Sequence, residues 1–170
     1  MIDERGVTLV ETLAAVSITA VVGSALAFAI VTGLRTTDQT RVTVLEAQDA
    51  QLTAAVFEAD VQSAESVSTT EASCAGGAPI VHLGSTDGTS SVAVAYRART
   101  VGDQRVLTRY ECVDGGAATT RDVARSVDAD AGPSIACLPG ACGADPETIV
   151  LTVTQESGST FDVTAVRRPA

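Results

Sequence analysis

From Val7 to Leu34 the chain reads VTLVETLAAVSITAVVGSALAFAIVTGL, with one ionisable side chain, Glu11, and from Thr12 to Leu34 with none. That uncharged stretch is 23 residues long. At 1.5 Å per residue a helix of this length reaches about 35 Å, slightly more than a hydrocarbon core of about 30 Å. The segment is therefore long enough to span a membrane, and whatever follows Arg35 is polar, mixed and acidic. The chain divides into a hydrophobic N-terminal rod and a soluble remainder.

The remainder cannot hold much of a core. Of 170 residues 45% are hydrophobic, mostly Ala and Val, and only 3% are aromatic, with no Trp. One small aliphatic domain with an appendage is what such a length and composition allow. Eleven basic residues, all Arg, stand against 21 acidic ones, for a formal charge of −10. Non-specific nucleic-acid affinity comes from neutralising many phosphates, so no direct nucleic-acid partner is expected. The sequence contains no Asn and hence no N-glycosylation sequon.

Three kinds of membrane segment compete for residues 7–34. A secretory signal peptide would use Ala27-Phe28-Ala29 as its cleavage site, but MIDERG is not a positive n-region and the apolar run is too long. A plain single-pass anchor explains the length and leaves Glu11 unexplained, although a carboxylate within an apolar span costs roughly 2.5–3.5 kcal/mol on insertion scales and usually marks function. The third reading attends to order. Gly6 is followed by Val7-Thr8-Leu9-Val10-Glu11 and then by the apolar stretch.

This arrangement resembles the class III signal of type IV pilins and type II secretion pseudopilins. The resemblance implies a leader of residues 1–6, cut after Gly6 by a membrane-embedded prepilin peptidase on the cytoplasmic side. The same enzyme would methylate the new terminal amine of Val7. It further implies a transmembrane and assembly helix over residues 7–34 and a soluble domain outside the cytoplasm, carried into a cell-surface filament after assembly. Arg35 and Arg41 follow the span while Asp3 and Glu4 offset Arg5, so positive charges do not orient it. The orientation comes from the resemblance.

After such a cut, the α-amine of Val7 and the carboxylate of Glu11 lie about 6 Å apart along the helix axis. If subunits pack side by side with an axial stagger, the amine of one can meet Glu11 of another, neutralising two charges that are costly alone in a dry environment. Pairing of Glu11 with its own amine, or with the helix dipole, is the intramolecular alternative.

Residues 35–66 continue as a two-faced helix half. Val42, Leu45, Leu52, Val56 and Ala59 predict an apolar stripe that covers a small sheet, and no Pro or Gly interrupts Leu34 to Glu65. Residues 67–170 form a β domain, with strands predicted over Ile80 to Leu83, Val92 to Arg97, Val106 to Cys112, Arg121 to Val127, Thr148 to Thr154 and Thr160 to Val166. Hairpins are predicted at Gly102-Asp103 and Ser157-Gly158, and loops over Ser68 to Ala78 and Asp128 to Pro146. The fold class is α+β: a pilin-like long N-terminal helix, membrane-spanning in its first half, packed on a small antiparallel sheet.

Cys74, Cys112, Cys137 and Cys142 all follow the span, an even number that fits two disulfides. Of three connectivities the reading favours Cys137 with Cys142, closing the LPGA loop, and Cys74 with Cys112. A zinc site lacks a CxxC and has only His82 to join it, so no metal and no cofactor is expected. His82, alone of its kind and without a GxSxG or triad pattern, reads as a sheet residue. Asp128, Asp130, Asp145 and Glu147 lack the full EF-hand pattern and read as solvated loop acids rather than a calcium site.

The chain is accordingly expected to be no enzyme but a structural minor pilin or pseudopilin subunit. Its partners would be the prepilin peptidase and methylase, other subunits and the cytoplasmic membrane. FEADVQSAESV and LTRYEC lean toward a J-type pseudopilin. The alternative is a single-pass anchored extracellular binding domain that does not polymerise.

Overall fold

The computed structural model describes residues 9–70, 76–143 and 145–168. The α+β layout is present: helix α1, Leu9–Ser63, is 55 residues long, and its C-terminal part packs against antiparallel sheet. The strands are β1 (Ser66–Ser68), β2 (Val81–Asp87), β3 (Ser90–Val101), β4 (Gln104–Val113), β5 (Thr119–Ala124), β6 (Ser134–Leu138), β7 (Thr148–Thr154) and β8 (Thr160–Val166). By packing, the chain divides between Val44 and Leu45 into two compact units, and α1 contributes to both.

In the first unit every described residue is exposed. The second holds two antiparallel sheets rather than one. β1 to β5 form a five-stranded meander in chain order, and β6 to β8 form a three-stranded one. They are stitched by the Val127–Gln155 bridge and by backbone bonds from Asp128 N–H to the Thr154 carbonyl (2.9 Å) and from Glu156 N–H to the Ser126 carbonyl (2.7 Å). A single core joins Phe57 and Val61 of α1 with Val81, Tyr96 and Leu107 of the larger sheet and Ile149, Leu151 and Val163 of the smaller. Burial against two sheets is how a chain this poor in aromatics holds a helix in place.

The strands over Thr148–Thr154 and Thr160–Val166 lie as their alternation predicts, and the other four anticipated strands are present with shifted ends. Both predicted hairpins form. Gly102, at φ 62°, begins the two-residue turn between paired Val101 and Gln104, the glycine-first pattern of tight hairpins. Gly158, at φ 86°, closes the turn that returns β7 into β8, its N–H on the Gln155 carbonyl at 2.8 Å.

Two strands depart from expectation. The helix stops at Ser63, short of Ser66, because Glu65 N–H already bonds the Gly84 carbonyl at 2.8 Å and β1 pairs with β2 from Ser66 on. β6 lies inside the segment read as loop: Ile135 and Cys137 alternate against β7 on the core side, a pattern too brief to outweigh the Gly and Pro around it.

The buried face of α1 is also not the predicted one. Val42 and Leu45 are about half exposed, at 49% and 51%, and Ala59 is exposed, while Leu52 and Val56 are only partly covered. The face that meets the sheets runs through Asp49, Thr53, Phe57, Asp60 and Val61. Spacings of three and four keep these on one side of the helix. The prediction fails because three of them are polar.

Each of those polar groups has a partner on the sheet. Asp49 Oδ2 accepts the Arg125 N–H at 2.5 Å. One turn on, the buried Thr53 hydroxyl donates to the Val123 carbonyl at 3.0 Å. That carbonyl belongs to the residue skipped where the β4–β5 register shifts, Leu107 pairing with Ala124 and Thr108 with Asp122. A buried hydroxyl is tolerated on an otherwise apolar face when its hydrogen bond is made.

Candidate functional site

The apolar part of α1, from Leu9 to Leu34, is the feature with least support from the chain's own fold. Leu9, Val10, Leu13, Ile18, Val21 and Phe28 are between 59% and 78% exposed. Fully burying side chains of this size is worth about 1.5–3 kcal/mol each, so such a surface requires lipid or protein around it. It is the one helix among the described residues that is long and apolar enough to cross a membrane, with a mean hydropathy of 2.2 over its most apolar stretch.

Hydroxyls within it do not spoil that property. Ser17 donates to the Leu13 carbonyl and Thr19 to the Ala15 carbonyl, each at 2.8 Å, and Ser24 donates to the Val21 carbonyl at 2.8 Å. A hydroxyl returned to its own helix presents little unmet polarity to a lipid or a neighbouring helix. Glu11 lies in the first turn of the described helix, with an exposed side chain. From Leu9 to Leu34 it is the single ionisable residue. Gly6 and Val7, the expected cleavage and methylation positions, lie outside the described residues.

Of the cysteines, Cys137 and Cys142 are bonded, with Cα atoms 5.1 Å apart across the loop that follows β6. Cys112 on β4 is buried and disulfide-bonded. Cys74, its expected partner, lies outside the described residues. Among the described residues no group of three or more His, Cys, Asp or Glu could hold a metal ion. Of the four acids considered for calcium, Asp128 and Asp145 have partners within the chain. Asp128 Oδ1 accepts the backbone N–H groups of Asp130 and Ala131 at 2.9 and 2.6 Å, an Asx turn, and Asp145 pairs with Arg167 at 2.5 Å. His82 on β2 is 9% exposed and faces the sheet side opposite α1, aligned with Ala95 on β3.

A polar cluster that sequence reasoning missed lies where α1 crosses the larger sheet. Tyr96 on β3 and Arg109 on β4 are register partners, and both reach Asp60 of α1. The Tyr96 hydroxyl donates to Asp60 Oδ2 at 2.5 Å, and Arg109 donates through Nε to Oδ2 at 2.6 Å and through Nη2 to Oδ1 at 2.8 Å. Arg109 Nη1 also meets Glu111 Oε2 at 2.5 Å. Burial, then the Asp60 charge and hydrogen bond, push the Tyr96 phenol well above its ordinary value, while the hydrogen bond to Asp60 holds Arg109 more firmly protonated. The only sequence signal for this cluster is Asp60 falling on the helical face of Phe57 and Val61.

A cleft of ≈ 370 Å³ opens beside it, lined among others by Asp60, Ser63, Asp87 and Glu111. With Asp60 and Glu111 both held by Arg109, the cluster is built to fix the helix on the sheet. Comparison with known proteins finds no family model, no curated protein and no solved structure that matches this chain.

Proposed function

We propose that the chain is a structural minor pilin or pseudopilin subunit of a type IV pilus or type II secretion-like filament. On this reading it is cut after Gly6, methylated at Val7, held in the cytoplasmic membrane by residues 7–34 and then packed by that helix among other subunits. The observation that carries the reading is the exposed apolar half of α1 with Glu11 as its lone ionisable group near the start. A surface of this kind serves a lipid phase and a protein phase equally well, which is what a subunit that moves from one to the other needs. Glu11 supplies the directional element that a featureless anchor lacks, since an incoming amine can pair with it only at one axial offset.

Mass spectrometry of the protein purified from its native host tests the reading. The expected result is a chain beginning at Val7 and heavier by one methyl group. A chain that keeps residues 1–6 overturns it in favour of a single-pass anchor carrying a domain that does not polymerise.

A further inference from the structure

A second property of α1 concerns the stretch between its apolar half and the part fixed to the sheets. Residues 36–44 read TTDQTRVTV, and six of them, Thr36, Thr37, Thr40, Val42, Thr43 and Val44, are β-branched. Such side chains lose rotamer freedom against the preceding helical turn and are among the weaker helix formers. Every residue of the stretch is exposed, so no tertiary packing within the chain offsets that weakness. The four threonine hydroxyls bond back to carbonyls one turn earlier, Thr36 to Thr32 at 3.0 Å, Thr37 to Gly33 at 2.9 Å, Thr40 to Thr36 at 2.8 Å and Thr43 to Gln39 at 3.1 Å. Back-bonding of this kind slightly destabilises and bends helices.

The flanks are held by different means. Residues 9–34 are apolar enough for a membrane, where unmade backbone hydrogen bonds are too costly for the helix to open. From Asp49 on, the Asp49, Thr53 and Asp60 contacts and the burial of Phe57 and Val61 hold the helix. The division of the chain into compact units falls at the end of the weak stretch, between Val44 and Leu45.

From this we propose that residues 36–44 are a helical hinge. The stretch opens locally in water while the helix on either side stays intact, so that the span and the β domain need not move as one body. The inference holds for a filament subunit and for a plain anchor alike, and its failure leaves the processing and assembly reading, which depends on residues 6–34, where it stands.

Hydrogen exchange and limited trypsin digestion of the full chain in phospholipid nanodiscs test it. Trypsin is informative because Arg41 lies inside the stretch and a protease needs several opened residues to cut. Amides of residues 36–44 are expected to exchange about 100-fold faster than those of residues 53–61, with early cleavage after Arg41. The quadruple variant Thr36→Ala, Thr37→Ala, Thr40→Ala and Thr43→Ala should slow both exchange in the stretch and that cleavage by roughly tenfold, leaving residues 53–61 unchanged. Exchange in residues 36–44 as slow as in 53–61, or a quadruple variant that exchanges and is cut at the rate of the unmodified chain, overturns the proposal.

Discussion

Arg109 holds Asp60 with two hydrogen bonds, Nε to Oδ2 at 2.6 Å and Nη2 to Oδ1 at 2.8 Å, across a sequence separation of 49 residues. The side chains are 17% and 11% exposed, so the pair is largely withdrawn from water. Its effect is positional. A helix packed by aliphatic side chains can slide or turn at small cost, whereas a bidentate ion pair is satisfied at one rotation and one height.

Asp60→Ala is expected to destabilise the β domain by about 3 kcal/mol, because it leaves the Arg109 charge with Glu111 alone and the Tyr96 hydroxyl without its acceptor in a mostly dry site. Urea unfolding of the full chain in detergent measures this. Adding Arg109→Met to that variant should recover part of the loss, since the largely buried Arg109 charge is then removed and the Glu111 carboxylate that it leaves is about one-third exposed to water. Additive losses in the double variant would mean that the pair contributes no coupling.

Tyr96 links the cluster to alkaline stability. Its folded pKa is raised, so its contribution is complete below the unfolded value of about 10 and is lost as pH rises toward the folded one. Tyr96→Phe should cost about 1–2 kcal/mol at neutral pH through the lost hydrogen bond to Asp60. It should also give a flatter decline in thermal midpoint above pH about 10 than the unmodified chain shows.

Asp122 acts on the acid side. Burial raises its pKa, but the Thr108 hydroxyl at 2.7 Å and Arg99 at 2.9 Å outweigh that, and the net shift is downward. Stability from this group is therefore present above the unfolded value of about 3.9 and lost as pH falls through the folded one. Asp122→Asn should cost about 1 kcal/mol at neutral pH and make the loss of stability below pH about 4 shallower, as read by circular dichroism.

Removing the Cys137–Cys142 bond with Cys137→Ser and Cys142→Ser is expected to cost about 2 kcal/mol, the chain-entropy value for a loop this short. The thermal midpoint of the β domain is the readout. Because β6 is an edge strand with Cys137 facing the core, hydrogen exchange should rise first in residues 134–138.

Glu11→Ala bears on the proposed function. On that proposal, processing at Val7 and the stability of the β domain should be unchanged, while incorporation into the proposed filaments, followed by immunoblot of sheared surface fibres from the native host, should drop at least about tenfold. Incorporation equal to that of the unmodified chain would remove the assembly role from Glu11.

The covalent order of residues by itself determined the long helix, the membrane-compatible character of its first half, the isolation of Glu11, four strands approximately and two closely, both predicted hairpins and the short Cys137–Cys142 link. These are local properties: an uncharged run, a period of two, a Gly-containing turn, two cysteines a few residues apart. The tertiary structure alone decided which face of α1 is buried. Hydrophobicity selects Val42, Leu45 and Ala59, yet the protein buries Thr53, Phe57 and Val61 and adds Asp49 and Asp60. A polar side chain can lie on a core face only when a distant partner meets it, and Arg125, Val123, Tyr96 and Arg109 reach α1 only once the strands have folded against it. The division into two sheets was hidden for a similar reason, because β1 and β6 are too short to declare themselves before β2 and β7 supply their hydrogen bonds.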